Sequence, residues 1–269
     1  MPAVSRDELL AAVERSPQAA AAHDRAAWVG LFAPDGRVED PVGSRPHVGH
    51  AEIGRFYDTF IGPRHITFHR DLDIVADTLA GHVVLRDLEL EVAMSAAVTM
   101  RIPAFLRYDL RESNGRLLIG ELRAYWELPA MMLQFLRTGS RAVTPALQLS
   151  RGLLRNQGPG GAAGFITGFR RVGARHQKLV RTFLDAAARG DGRVAGRALS
   201  PTASITLGDD DPLETADLVD RLHGARHTKT IGAGRTVVVA LDSGRRRAIL
   251  FADVGWQCAT IDRVRYFPA

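Results

Sequence analysis

The order of elements along this chain predicts an α+β protein built as two like-made domains in tandem. Three observations carry that reading. Helical spacing opens the chain, at Leu9, Leu10 and Val13, and returns in the amphipathic stretch VGARHQKLVRTFLDAAARGD from 172 to 191. Each helical opening leads to a run of strand-like segments. The landmarks also recur in order, with Pro201 and Ile205 matching Pro34 and Val38, and Tyr266-Phe267 matching Tyr125-Trp126. Each domain should lay its helices on a curved, mostly antiparallel sheet. Residues 1–127 form the first domain, 128–172 a basic, apolar helical linker, and 173–269 a shorter, degenerate second copy.

Residues 6–31 read as helices, with the Ala-rich run 19–27 continuing the pattern to Trp28–Leu31 and Pro17 kinking or dividing it. FAPDGRVEDPVGSRP is a turn leading into a short strand, and GHAEIGRFYDTF is a further helix. HITFHRDLDIVAD, GHVVLRDLELEVAM, AVTMRIPAFLRYDL and RLLIGELRAYWEL are strands, the last two joined as a hairpin by Ser113-Asn114-Gly115. In the second copy ALSPTASITLGD parallels LFAPDGRVED, PLETADLVDRL is the middle helix, and TVVVAL, AILFADV and ATIDRVRYF are strands. The glycine cluster GPGGAAG (158–164) reads as a hinge. A dinucleotide fingerprint would need a strand before it, and an apolar, basic helix stands there instead.

Composition narrows the function classes. Of 269 residues, 46% are hydrophobic and 24% charged, which excludes a disordered chain. The single cysteine, Cys258, excludes an intrachain disulfide, and a reducing, cytoplasmic interior is the simpler compartment. The N-terminus is too polar and acidic for a signal peptide, and the longest uncharged run, Asn156–Phe169, is too short to span a bilayer. The net charge of +5 is concentrated: Leu128 to Leu184 holds nine Lys/Arg and no Asp or Glu, so the rest of the chain is net acidic. That pattern argues against a general or sequence-specific nucleic-acid binder. It fits either an interfacial segment meeting anionic membrane lipid over 128–184 or a linker helix packed on its own domains.

The chemistry-bearing stretch is Val38-Glu39-Asp40-Pro41-Val42-Gly43-Ser44-Arg45-Pro46. Proline disfavours helix at the preceding residue, so Asp40 ends a strand in extended conformation. Its side chain can then project into a cavity between helices and sheet, where lost solvation raises the proton affinity of a carboxylate and suits it to general-base work. From spacing alone, a turn-stabilising aspartate is the commoner reading.

VEDPVGS with Pro46 and Gly49 after it, Phe56-Tyr57 in the middle helix and Ala124-Tyr125-Trp126 on the last strand resemble the Δ5-3-ketosteroid isomerases of the NTF2-like (SnoaL-like) superfamily. The resemblance covers about residues 5–128 and implies cone-shaped domains, with the second copy similar only in plan. It implies Asp40 as the base, no cofactor or metal, and a small hydrophobic, steroid-like carbonyl ligand. In that family a tyrosine and a protonated aspartic acid stabilise the dienolate, and here Ser16 and Arg107 occupy those places. Losing one such donor typically costs around 10²–10³ in rate. Tyr57 and Arg107 are the candidate replacements, and a one-residue change of register would turn Tyr108 inward instead of Arg107. Ser16, Phe56, Tyr108, Tyr125 and Trp126 are the candidate ligand contacts, although Tyr125 and Trp126 read as core aromatics too.

Leu207 falls where Asp40 falls in the first copy, and Asp209-Asp210-Asp211 read as a turn and helix start, so the second copy is expected to lack the base. Relatives dimerise through the open sheet face, so the chain could form a homodimer or an intrachain pseudo-dimer. Two other functions stay open. One is an epoxide hydrolase or cyclase with Asp71 or Asp73 as second acid; the other is a non-catalytic ligand carrier or scaffold whose basic linker meets a membrane or partner. His65 and His69 share one side of a strand and could line the cavity. His223 and His227 have metal-like spacing but no third ligand.

Overall fold

In the computed structural model, which describes residues 4–139, 147, 151, 155–156, 172–244, 246–255 and 260–269, Ser5 sets the first helix. Its hydroxyl accepts from the Glu8 amide while the Glu8 carboxylate accepts the Ser5 amide at 2.8 Å, a reciprocal cap on otherwise orphaned donors. Helix α1 (Arg6–Ala21) passes through Pro17 as one element. The expected division is absent: Pro17 forfeits one ladder bond in the helix interior, and the turn that follows stays helical with Ala19 and Ala20 buried in the core. The chain turns instead at His23, whose φ is 54°, and Asp24 caps α2 (Arg25–Val29) by accepting the Ala27 amide at 2.8 Å.

The first unit continues with β1 (Phe32–Glu39), β2 (His47–Val48), α3 (Gly49–Phe56), one π-helical turn (Tyr57–Ile61), β3 (His65–Thr78), β4 (Gly81–Ser95), β5 (Val98–Ser113), β6 (Arg116–Tyr125) and α4 (Leu128–Arg137). Its sheet runs β2-β1-β6-β5-β4-β3, with β1 parallel to β6. Asn114 and Gly115 both take positive φ, 52° and 71°, as the expected two-residue hairpin requires. On β5 the residues Met100, Ile102, Ala104, Leu106 and Tyr108 join the core that includes α1 and α2. Phe105 and Arg107 therefore point to the opposite sheet face.

The second unit is built from α5 (Ala174–Ala188), α6 (Gly192–Gly196), β7 (Leu199–Leu207), β8 (Asp211–Pro212), α7 (Thr215–Leu222), β9 (Arg226–Ala233), β10 (Thr236–Asp242), β11 (Arg247–Val254) and β12 (Ile261–Pro268). Its sheet order, β8-β7-β12-β11-β10-β9 with β7 parallel to β12, repeats the first. The irregularities repeat too. Phe32 to Arg37 bulges against Ile119 to Glu121, and Leu199 to Ser204 bulges against Ile261 to Arg263. The chain is thus an α+β tandem of two mixed six-stranded sheets. Strand β9 escaped the sequence reading because RHTKTIGA carries no clear alternation of apolar residues. The landmark pairing shifts by one residue: Arg123 pairs with Glu39 and Arg265 with Thr206, so Tyr266 corresponds to Ala124 and Phe267 to Tyr125.

Of the basic stretch, α4 packs Leu128 and Phe135 into the first core and leaves Leu133 and Leu136 exposed. The glycine cluster at 158–164, Arg141 and Cys258 lie outside the described residues. Among those described, no helix is long and apolar enough to cross a membrane.

Candidate functional site

Strand β1 ends at Glu39, and the next residue begins the site. Asp40 precedes Pro41 through a cis peptide bond, and its Oδ1 accepts a hydrogen bond from the Trp126 indole Nε1 at 2.6 Å. Trp126 follows the last residue of β6, the strand parallel to β1, so the parallel pairing brings aspartate and indole together. Burial pushes the Asp40 carboxyl from its ordinary 3.8 up to about 6, and the Trp126 hydrogen bond works against that rise.

A cavity of about 110 Å³ opens at this carboxyl. Its walls come from Phe56 of α3, Phe60 and Ile61 of the π turn, Ile66 of β3, Leu90, Val92 and Met94 of β4, Ile102 of β5 and Met131 of α4. The residues with polar groups on the lining are Asp40, Arg64 and Trp126. An apolar hollow with a few converging polar groups is the usual form of a small-molecule site.

Three of the residues expected from sequence therefore meet: Asp40, Phe56 and Trp126. Five are placed elsewhere. Phe56 stacks on Trp28, ring centroids 6.1 Å apart, and Trp28 is also 5.6 Å from the Tyr57 ring. Tyr57 is buried with its hydroxyl unpartnered, and it is not on the cavity wall. Ser16 accepts the Trp28 indole at 3.2 Å. It neighbours Tyr108, whose phenol burial pushes up to about 12, against the opposing effects of Arg86 and Ser16. Tyr108 does face inward, as the alternative register foresaw, but it joins a different polar cluster. In that cluster Arg86 of β4, almost wholly buried, binds Asp73 of β3 at 3.0 Å and Glu14 of α1 at 2.6 Å.

Arg107 lies on the opposite face of the sheet, where it binds Asp109 at 2.6 Å, and Arg123 holds the same carboxylate at 2.9 Å. Burial tends to raise the Asp109 carboxyl, but the hydrogen bonds and charges of the two arginines outweigh it and hold the group below the ordinary range. Tyr125 pairs with Phe105 across the strands and so shares the Arg107 face. Asp73 is engaged with Arg86, and neither it nor Asp71 lines the cavity. His65 and His69 are exposed and outside the cavity wall; His69 meets Glu91 at 3.1 Å and His65 meets His23 at 3.2 Å.

Arg64 was missed. It follows Gly62-Pro63 in the turn before β3, a context without any chemical motif, and its place at the cavity is set by the π turn behind it. Nη1 donates to the backbone carbonyls of Thr59 and Phe60 at 2.6 and 2.9 Å. Burial draws its guanidinium below the ordinary arginine value.

In the second unit the register places Leu207 opposite Tyr266, where the first unit has Asp40 beside Ala124. His223 follows α7 as its C-cap and His227 lies on β9, 3.5 Å from Asp185. Among the described residues, no group of three or more His, Cys, Asp or Glu is gathered to hold a metal.

Residues 13–114 match the family described as the SnoaL-like domain. The first unit carries a SnoaL-like domain. Solved structures similar to the chain include a Mycobacterium tuberculosis protein in complex with estradiol-17β-hemisuccinate, 26% identical over 45% of this chain and 94% of that one, with a TM-score of 0.40. The Δ5-3-ketosteroid isomerase from Mycobacterium sp. is 27% identical over 46% and 96%, with a TM-score of 0.41. An epoxide hydrolase/cyclase-like enzyme of pyran ring formation in salinomycin is 19% identical over 46% and 95%, with a TM-score of 0.40. No curated protein matches the chain. The SnoaL-like match begins within α1 and includes Asp40 and the walls up to Ile102; Trp126 and Met131 lie beyond it.

Proposed function

We propose that the SnoaL-like unit is a cofactorless proton-transfer enzyme acting on a hydrophobic carbonyl compound, with Asp40 as general base. The Asp40 carboxylate takes a proton from the carbon beside a ketone, breaking C–H and forming O–H. The electron pair passes to the carbonyl oxygen as a dienolate. The protonated carboxyl, whose proton exchanges with solvent in part of the turnovers, then delivers a proton two carbons along, moving a double bond into conjugation and restoring the carboxylate.

The observation that carries this reading is the carboxyl itself, partly buried against apolar walls with its proton affinity raised to about 6. Such a group is ionised at neutral pH yet more basic than a solvated aspartate, which is what a general base near physiological pH needs. The cavity limits what enters. A hollow of about 150 Å³ holds one benzene ring, and this one is about 110 Å³, so even a one-ring ketone needs some give in the walls. A steroid-like ligand would extend out of it or displace flexible wall residues such as Met94 and Met131.

The test uses a one-ring β,γ-unsaturated ketone, following the absorbance of the conjugated product and deuterium uptake from D₂O. The wild-type chain should catalyse both, and Asp40→Asn should lose about 10²–10⁴ in rate, the usual worth of a positioned base. Full activity in Asp40→Asn would remove Asp40 from the reaction. A second reading, a hydrophobic-ligand carrier, is favoured by the location of Ser16 and Arg107 away from the cavity. It predicts equal binding by wild type and Asp40→Asn, with no turnover by either.

A further inference from the structure

We infer that Arg64 is an anion subsite of the Asp40 cavity, and that the ligand is an amphipathic acid: an apolar, carbonyl-bearing body ending in a carboxylate. The inference rests on reading this cavity as a ligand site, and it names the class of ligand. Arg64 lines a hollow whose walls are otherwise almost wholly apolar. Among the described residues its guanidinium meets no carboxylate; its hydrogen bonds are those to the Thr59 and Phe60 carbonyls.

Both of those bonds use Nη1. They fix the plane of the group and leave the Nε–H and Nη2–H edge without a protein acceptor. That edge presents two parallel donors, the arrangement that receives a carboxylate in bidentate fashion. The other arginines packed into this unit contrast with it. Arg86 and Arg107 are each neutralised by carboxylates of the chain at 2.6 Å. A half-buried guanidinium without a counter-ion gains more from an incoming anion than a fully solvated one does, because part of its hydration is already lost.

The subsite is also separate from the base. Arg64 is absent from the groups that shift the Asp40 carboxyl, whose proton affinity reflects burial and Trp126. A ligand whose acid end meets Arg64 leaves its body to the remaining walls, which are apolar apart from Asp40 and Trp126.

Two one-ring probes of nearly the same shape, one an anion and one neutral, test this by calorimetry on the full chain: phenylpropionate and phenylpropionamide. Wild type should bind the acid at least tenfold more tightly than the amide. Arg64→Met should bring the acid to the affinity of the amide while amide binding stays unchanged, which also shows that the pocket is intact. Arg64→Lys, a point charge without the two-donor edge, should keep only part of the preference. Equal affinities in wild type, a preference that survives Arg64→Met, or no binding of either probe would overturn the inference. Amide binding with no preference for the acid would leave the Asp40 reading standing, since that reading fails separately, through activity retained in Asp40→Asn.

Discussion

Replacing Asp40 with asparagine should stabilise the protein at neutral pH, because the wild-type carboxylate is charged where charge is poorly solvated. Its affinity for a proton rises from 3.8 to about 6 on folding. At about 1.4 kcal/mol for each tenfold change, the ionised group destabilises the fold by about 3 kcal/mol at pH 7.5. The folded state binds the proton more tightly than the unfolded one, so this cost is complete above pH 6, shrinks as pH falls through that value, and vanishes below the unfolded value near 3.8. Asparagine retains an oxygen for the Trp126 indole and carries no charge. The gain from Asp40→Asn should therefore be about 3 kcal/mol at pH 7.5 and about 1 kcal/mol at pH 4.5. Urea unfolding of both proteins at the two pH values, followed by circular dichroism, measures it. A gain that is absent at pH 7.5, or the same at both pH values, would refute the claim that Asp40 is desolvated and would take the general-base reading with it. The same substitution should cut turnover, so stability and activity are expected to move in opposite directions at one atom.

Two further outcomes follow from the same geometry. Trp126→Phe removes the donor that restrains Asp40. The acidic limb of the rate profile should then move up by about one pH unit, the worth of a hydrogen bond to a charged group; an unmoved limb would show that the indole does not tune the base. Arg86→Ala leaves Asp73 buried without its strongest partner and should cost about 3 kcal/mol in urea unfolding, with a loss below 1 kcal/mol counting against the buried network.

The boundary between what was legible and what was not follows the reach of each physical rule. Local rules act within a few residues, and they worked. The strands β4 and β5, the Asn114-Gly115 turn and the acid before Pro41 were all readable, and each has its place in the structure. Faces were harder. Side chains alternate across a strand, so a one-residue uncertainty in alignment decides between opposite sides of the sheet. That is why Arg107 faces away from the cavity, bound to Asp109, while its neighbour Tyr108 faces the core. Pro17 reads as a kink or a division because proline opposes a helix interior, and the core packing of Ala19 and Ala20 beyond it is a tertiary matter.

By itself the sequence determined the tandem α+β plan and the position of one aspartate at a strand end, because hydrophobic period, turn chemistry and the constraint ahead of proline are properties of neighbouring residues. The tertiary structure alone decided that this carboxyl meets Trp126, that Arg64 shares its hollow, and that the hollow measures about 110 Å³. Those three facts depend on segments from β1 to α4 converging in space, and free volume is what remains when distant side chains have packed, a quantity that no stretch of sequence carries.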